Sequence, residues 1–382
     1  MAPIAIEPRP IVPTIKDFAA PKHDSLELPQ ATLERLRKAE IDLSNGYPYR
    51  PARPLYLQDA FEIRNEPWVH VDAGARAAKS DPSKSSLLKA ATKVTHLTGH
   101  IGTEIEGLQL KDLTNQQRDE LALLIAERSV VFFRDQDISP QQQKELGEHF
   151  GKIEVHPQVP QVPGVEGVTV SRPEDWPYAW SWTLTSARSS GLHFKRQNEP
   201  RTSAILAEQA GGIQISYTNV SLPASGYSAY EKLSPEFRKI IDGRKAIYRS
   251  AHTYLDRNDP EAGPKHIERE HSLVRVHPAT GWKALWVNRS FTKRIVGLDQ
   301  AESDVILNYL FSVYEGNIDI QVRFKWTPRT SALWDNRITI HNASWDYEGR
   351  EPRHGTRVTS LAEEPYFDAS APSRRQALGR DG

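Results

Sequence analysis

Leu273-Val-Arg-Val-His-Pro-Ala-Thr-Gly-Trp-Lys-Ala-Leu-Trp-Val287 sets two short β-favouring runs, Leu273–His277 and Lys283–Val287, on either side of a turn at Ala279-Thr-Gly281. Runs of this length, rich in branched and aromatic residues and bounded by Pro and Gly, read as strands. Two more follow, Gln321–Trp326 and Ala332–Trp334, separated by a turn at Thr327-Pro-Arg329. The C-terminal half is therefore strand-rich. Helical signals are segregated upstream of it. Gln116–Arg128 places Leu121, Leu124 and Ile125 at helical spacing and runs into Ser129-Val-Val-Phe-Phe133, a buried strand by composition. Next comes a punctuated helix, with Ser139 as N-cap, Pro140 in the first turn, Gln142 completing a capping box and Gly151 as the stop. Ser234-Pro235 to Gly243 repeats that logic. Short strands between turns, backed by helices, predict a mainly β fold with flanking helices, and a double-stranded β-helix (jelly roll) is the natural core.

Outward from this core the chain changes character. Residues 1–93 form an extension in which proline recurs (Pro48, Pro51, Pro54), apolar periodicity is weak and one short helix is predicted around Ala31–Ala39. The stretch Lys79–Lys89 within it is rich in Ser and Lys. The core domain is placed at 94–367, and the Ser/Arg/Gly-rich residues 368–382 read as a disordered tail.

Composition narrows the function. The 382 residues carry 49 basic and 49 acidic side chains, with no basic run, which argues against nucleic-acid binding. No apolar stretch is long enough to span a bilayer, and the proline-punctuated start (Pro3, Pro8, Pro10, Pro13) lacks the apolar segment of a secretory signal. Cysteine is absent, so disulfides, thiolate nucleophiles and zinc–thiolate sites are excluded, while 13 histidines leave His/carboxylate metal binding open. The expectation is a cytoplasmic enzyme acting on a small molecule, without nucleic-acid or membrane partners, for which a homo-oligomer is allowed.

The densest functional text runs from Trp334-Asp-Asn-Arg337 through His341 to Arg353-His-Gly-Thr-Arg357. Imidazole binds iron(II) well, and an arginine fork grips a carboxylate with two parallel hydrogen bonds. Arg353 and Arg357 are an even number of residues apart and share a face of any regular strand. The same spacing also suits two solvated strand charges and a satisfied turn histidine, and it does not choose between them.

Several segments together resemble the taurine/2,4-dichlorophenoxyacetate dioxygenase family. They are Val130-Val-Phe-Phe-Arg134 with Leu146-Gly-Glu-His-Phe-Gly151, His277-Pro-Ala-Thr-Gly281 with Ala284-Leu-Trp-Val-Asn288, and Trp334-Asp-Asn-Arg337 with His341. The likeness spans Val94 to Phe367 and is strongest to fungal sulfonate-dioxygenase-like members. It implies an Fe(II)/2-oxoglutarate-dependent dioxygenase that oxidises a small, anionic, sulfonate-like substrate with release of succinate and CO2. His341 resembles the distal metal histidine, Arg353 the arginine that pairs with the distal carboxylate of 2-oxoglutarate, and Arg357 a second arginine near the substrate sulfonate.

One motif departs from that pattern. The other two metal ligands should form Trp-His-x-Asp, upstream of a Gly-Gly-Asp-Thr turn. Here the text reads Trp182-Thr-Leu-Thr-Ser186 and Gly211-Gly-Ile-Gln214, and no Asp or Glu occurs between Asp175 and Glu199. His193 is the second metal candidate, but in His193-Phe-Lys195 a lysine stands where the carboxylate belongs. At about 4 Å and an effective dielectric near 20, a unit charge pair is worth about 4 kcal/mol, so an ammonium facing a dication meets roughly twice that in repulsion. The genetic code offers an account. TGG CAC ACT GAC GTC encodes Trp-His-Thr-Asp-Val, and deleting the first C of its second codon yields Trp-Thr-Leu-Thr-Ser. The same shift makes Gly-Gly-Ile-Gln compatible with Gly-Gly-Asp-Thr. An out-of-frame segment over about residues 183–223 fits both, and it predicts irregular backbone there, because residues read out of frame carry no selected binary pattern. The competing reading is a catalytically inactive jelly roll that keeps only a small-anion pocket.

Overall fold

Local capping fixes most of the helices. In the computed structural model, which describes residues 28, 30–49, 56–58, 70–155, 159–171, 213–216, 222–342 and 354–380, the first helices are α1 (Gln30–Lys38), α2 (Ala73–Ser80) and α3 (Ser85–Ala90). After β1 (Lys93–His96) and β2 (Thr103–Glu106) comes α4 (Asn115–Arg128), opened by a reciprocal Thr114/Gln117 capping box. Beyond β3 (Val130–Phe133), α5 (Pro140–Phe150) starts on the Ser139/Gln142 box that the sequence predicts. Then follow β4 (Thr169–Ser171), β5 (Ile213–Ser216), β6 (Leu222–Ser225), α6 (Gly226–Lys232) and α7 (Pro235–Ile241). The remaining elements are β7 (Lys245–Tyr254), β8 (Lys265–Ser272), β9 (Val274–Val276), β10 (Lys283–Leu285), β11 (Thr292–Ile295), α8 (Gln300–Gly316), β12 (Ser331–Asp335), β13 (Thr339–Asn342), β14 (Gly355–Thr359) and α9 (Arg374–Ala377).

A seven-stranded sheet in the order β1-β2-β3-β12-β5-β14-β4 organises the chain, with only β2 and β3 parallel. Its pleat sorts side chains into two environments. Val131, Phe133 and Leu333 pack under α4 and α5 with Leu121, Ile125 and Leu146, all buried. Val130, Phe132, Ala332 and Trp334 point the other way, against Val322 and Phe324, where the rings of Phe132 and Phe324 stack 3.8 Å apart. A three-stranded sheet β11-β7-β8 and the β9–β10 pair enclose a second core with α6, α7 and α8. The β6–β13 ladder forms a separate pair.

At β14 the pleat decides what faces the site. Gln143 and Gly147 of α5 meet Thr356, Val358 and Ser360, and the Ser360 hydroxyl donates to the Gly147 carbonyl at 2.7 Å. The odd-numbered residues Arg357 and Thr359 therefore project from the opposite face. Gly147 is what lets α5 come this close, since a Cβ there would lie 2.5 Å from Val358 Cγ1 and 2.9 Å from Ile153 Cδ1. Gly147→Ala is expected to destabilise the fold by about 1–3 kcal/mol through overpacking, read as a lower urea midpoint. An unchanged midpoint would show that the two side chains simply rotate aside.

Four expectations are corrected. Gln321–Trp326 is not a strand: Gln321 bridges Ala224 and the Val322 N–H reaches the Pro223 carbonyl, but Pro223 has no N–H to return and no ladder follows. Residues 368–380 are no frayed tail, because α9 is capped by Ser373 and Gln376 and the buried Arg374 donates to the His100 carbonyl at 3.0 Å. Residues 73–90, counted with the extension, belong to the core, with Ala73 and Leu87 buried in the cluster under α4. Irregular backbone is not found at Ile213–Ser216, which pairs in register with both β12 and β14. The alternation Ile-Gln-Ile-Ser has period 2 whatever its origin, and that suits a strand. Among the described residues no helix is long and apolar enough to cross a membrane.

Candidate active site

The Trp-Asp-Asn-Arg turn carries the chain from one sheet to another. β12 ends at Asp335, whose carboxylate accepts the Arg337 N–H at 2.8 Å, and the chain re-enters pairing at Thr339 as β13, alongside β6. Arg337 is buried and holds the turn to three carboxylates. Its Nη2 lies 2.6 Å from Asp335, and its Nη1 lies 2.7 Å from both Asp72 and Glu363. His277 Nε2 meets Asp335 at 2.9 Å, and Arg275 meets Glu363 at 2.8 Å. Burial alone would raise the Asp335 carboxyl, but Arg337 and His277 more than offset it and hold it far below the ordinary range.

This turn delivers His341. The imidazole packs edge-on to Trp334, with centroids 5.2 Å apart, on the side of the seven-stranded sheet that faces away from α4 and α5. Burial, and then repulsion from Arg357, push its pKa down to about 4. At neutral pH it is therefore the uncharged form that can ligate a metal.

Arg357 is buried on the face it shares with Trp334. The register shows this directly: Trp334 lies opposite Gln214, Gln214 opposite Thr359, and Arg357 two residues from Thr359. Burial depresses the guanidinium, which the charge of Glu154 partly counters, and its Nε has no hydrogen-bond partner among the described residues. Glu154 reaches the same face along the other edge of β14. Its N–H donates to the Thr359 carbonyl at 2.9 Å beside the Ile153–Ser360 bridge. Neither carboxyl oxygen of this buried residue has a hydrogen-bond partner among the described residues. Burial raises its pKa to about 7, against the pull of Arg357.

Of the four site residues expected from sequence, the structure brings His341 and Arg357 together. Arg353 and His193 lie outside the described residues, as does most of the suspected out-of-frame segment. Arg337 and Glu154 were not anticipated as site residues. The first was visible only as part of a motif. The second follows a helix stop, and no spacing marks it.

The donor set for iron can be tested on these residues. Among those described, the one grouping of three potential ligands is His70, Asp72 and Glu363. Arg337 already donates to both carboxylates, so a dication there would sit against a guanidinium. No described carboxylate or second histidine forms such a group with His341. The sequence where family-type ligands would stand, between Asp175 and Glu199, supplies no acid. The described residues thus furnish one imidazole and do not by themselves make a complete iron(II) site.

Comparisons with known proteins place this geometry. A family model described as taurine catabolism dioxygenase TauD, TfdA family, matches residues 93–359. The α-ketoglutarate-dependent dioxygenase cnsM of Penicillium expansum is 36% identical over 319 residues, covering 78% of this chain and 85% of its own. The α-ketoglutarate-dependent sulfonate dioxygenase of Saccharomyces cerevisiae is 34% identical over 290 residues, covering 72% and 68%. A taurine dioxygenase from Burkholderia xenovorans, known from its crystal structure, superposes with a TM-score of 0.55 at 26% identity, covering 72% of this chain and 92% of that one.

Proposed function

The chain belongs to the TauD/TfdA family of taurine catabolism dioxygenases, and from that premise we propose that it oxidises a small sulfonate-like anion bound at Arg357. α-Ketoglutarate is 2-oxoglutarate, and the family's reaction consumes it with O2 at iron(II), releasing succinate and CO2. The observation that carries the substrate class is Arg357 itself: a buried guanidinium whose Nε has no hydrogen-bond partner among the described residues, on the sheet face that also presents Trp334 beside His341. A buried donor of this kind is costly unless a ligand engages it, and an anionic head group does so best. The family likeness favours sulfonate over carboxylate. In this reading His341 is a metal ligand and Arg353 holds the distal carboxylate of 2-oxoglutarate.

The fold belongs to the same proposal. A chain that leaves a seven-stranded sheet at Asp335 and joins a second ladder at Thr339 supports a double-stranded β-helix with the site between its two layers. A cytoplasmic setting, in keeping with a chain that has no cysteine to oxidise, completes the reading.

The test is calorimetric titration of butanesulfonate, butyl sulfate and pentanoate into wild-type chain and Arg357→Met. A charge-assisted contact is worth about 2 kcal/mol, so loss of the guanidinium should weaken sulfonate binding roughly 30-fold. Equal dissociation constants for the two proteins would remove Arg357 from the substrate site.

A further inference from the structure

We propose that Glu154 is a specificity-determining residue of this pocket: it stands beside Arg357 as a built-in counter-charge, so that an anionic substrate is captured together with one proton. The inference rests on the reading of Arg357 as the anion contact.

Geometry carries it. Glu154 and Arg357 lie on one face of the sheet, since Ile153 and Ser360 pair and turn toward α5, which leaves Glu154 and Thr359 on the far side with Arg357. Both side chains are buried, at 8% and 7% exposure, which is too deep for water to screen the pair. Yet both carboxyl oxygens and the Arg357 Nε lack hydrogen-bond partners among the described residues. The two groups act on each other through space, with hydrogen-bonding atoms of both left for a third group to engage.

The electrostatic surroundings are sparse. Among the described residues, the titratable groups on this face are Arg357 from β14 and His341 from β13. β12 brings Trp334 and β4 brings Thr169, neither of which changes charge near neutrality. Lys152 and Glu166 are exposed. With Glu154 ionised, the pair is neutral and a sulfonate entering it would add an uncompensated negative charge. With Glu154 protonated, Arg357 is free to hold the anion, and the neutral carboxyl gains an O–H to donate to a sulfonate oxygen. The binding step then takes one proton from solvent onto a Glu154 oxygen, and no other bond changes.

The sign follows from the raised carboxyl. Burial keeps Glu154 protonated to about pH 7, so below that value the pocket is ready for an anion. Above it, each pH unit should weaken binding roughly tenfold. A sulfonate has no titration of its own in this range, so the pH dependence belongs to the protein.

The experiment is calorimetric titration of butanesulfonate into the full-length chain at pH 5.5 and 8.5. At each pH it is done in two buffers of different ionisation enthalpy that contain neither sulfonate nor phosphate. Wild type should take up about one proton at pH 8.5 and close to none at pH 5.5, whereas Glu154→Gln should take up none at either and keep its affinity at pH 8.5. Zero uptake by wild type at pH 8.5 overturns the proposal whether or not the variant folds. Undiminished uptake by Glu154→Gln overturns it as well. If Arg357→Met weakens binding while either of those results holds, the anion site stands and only the role of Glu154 falls. If neither wild type nor Glu154→Gln binds butanesulfonate, both readings fall together.

Discussion

Arg337→Met is expected to cost about 3–5 kcal/mol of folding stability, the penalty for stranding buried charges whose partner has been removed. The guanidinium is 2% exposed and reaches Asp335, Asp72 and Glu363 at once. Without it Arg275 still meets Glu363, Asp335 keeps His277 and the backbone N–H of residue 337, and Asp72 keeps its helix-capping bond to the Ala75 N–H. The pH dependence gives a second signature. Burial pushes the Asp335 and Asp72 carboxyls upward, yet Arg337 and His277 hold both below the ordinary aspartate value. Their contribution is therefore present above the unfolded-state range near pH 4 and is lost as pH falls through the lower folded values. The deficit of the variant should be largest at neutral pH and should shrink in acid. Urea unfolding at pH 7 and pH 3 measures both effects, with Arg329→Met as control, since the Arg329–Asp135 pair lies in solvent. A variant within 1 kcal/mol of wild type at pH 7 would mean that the carboxylates find other partners.

What the sequence revealed and what it hid divide along the range of the interactions. The helix α4 was legible from the spacing of Leu121, Leu124 and Ile125, and α5 and α7 because Ser139/Gln142 and Ser234 act within one turn of the residues they cap. The strand β3 was legible as an unbroken apolar run, and β9, β10 and β12 as short β-favouring runs set off by turns. Gln321–Trp326 had the right alternation, and Val322 and Phe324 do pack as a strand face would, but whether a backbone finds a ladder depends on a distant neighbour, here a proline. The tail looked disordered by composition because its anchor is long-range, one guanidinium reaching the carbonyl of His100. Within the site, His341 and Arg357 could be found because a family motif carries them. Glu154 could not, since it belongs to the pocket only through its pairing with the strand that carries Arg357.

The chain restored to its other reading frame over residues 183–223, so that Trp182 is followed by His-Thr-Asp, is expected to bind iron(II) and release succinate from 2-oxoglutarate far better than the sequence as it stands. The gap should exceed the roughly 10- to 100-fold that loss of a mere supporting group around a metal costs, because a ligand itself is at stake. His341 is ready for its part: neutral at physiological pH and ordered against Trp334. Among the described residues, an anionic ligand beside His341 is what the site lacks. Arg357 lies near enough to His341 to depress its pKa, and at about 4 Å and an effective dielectric near 20 each unit of like charge costs about 4 kcal/mol. A dication held by imidazole alone, in view of that guanidinium, has nothing to balance it, whereas one aspartate in the first ligand sphere supplies the missing anion. Glu154 is no substitute, since among the described residues it forms no grouping of potential ligands with His341. Sequencing the transcript across codons 175–230 shows whether the message carries the extra nucleotide and so decides which frame is translated. Iron(II) titration and oxygen-coupled succinate formation, run on both proteins side by side, then measure the consequence. If the sequence as it stands forms succinate at the restored rate, a carboxylate from elsewhere in the chain reaches the metal and the missing Trp-His-x-Asp motif is no loss to the enzyme.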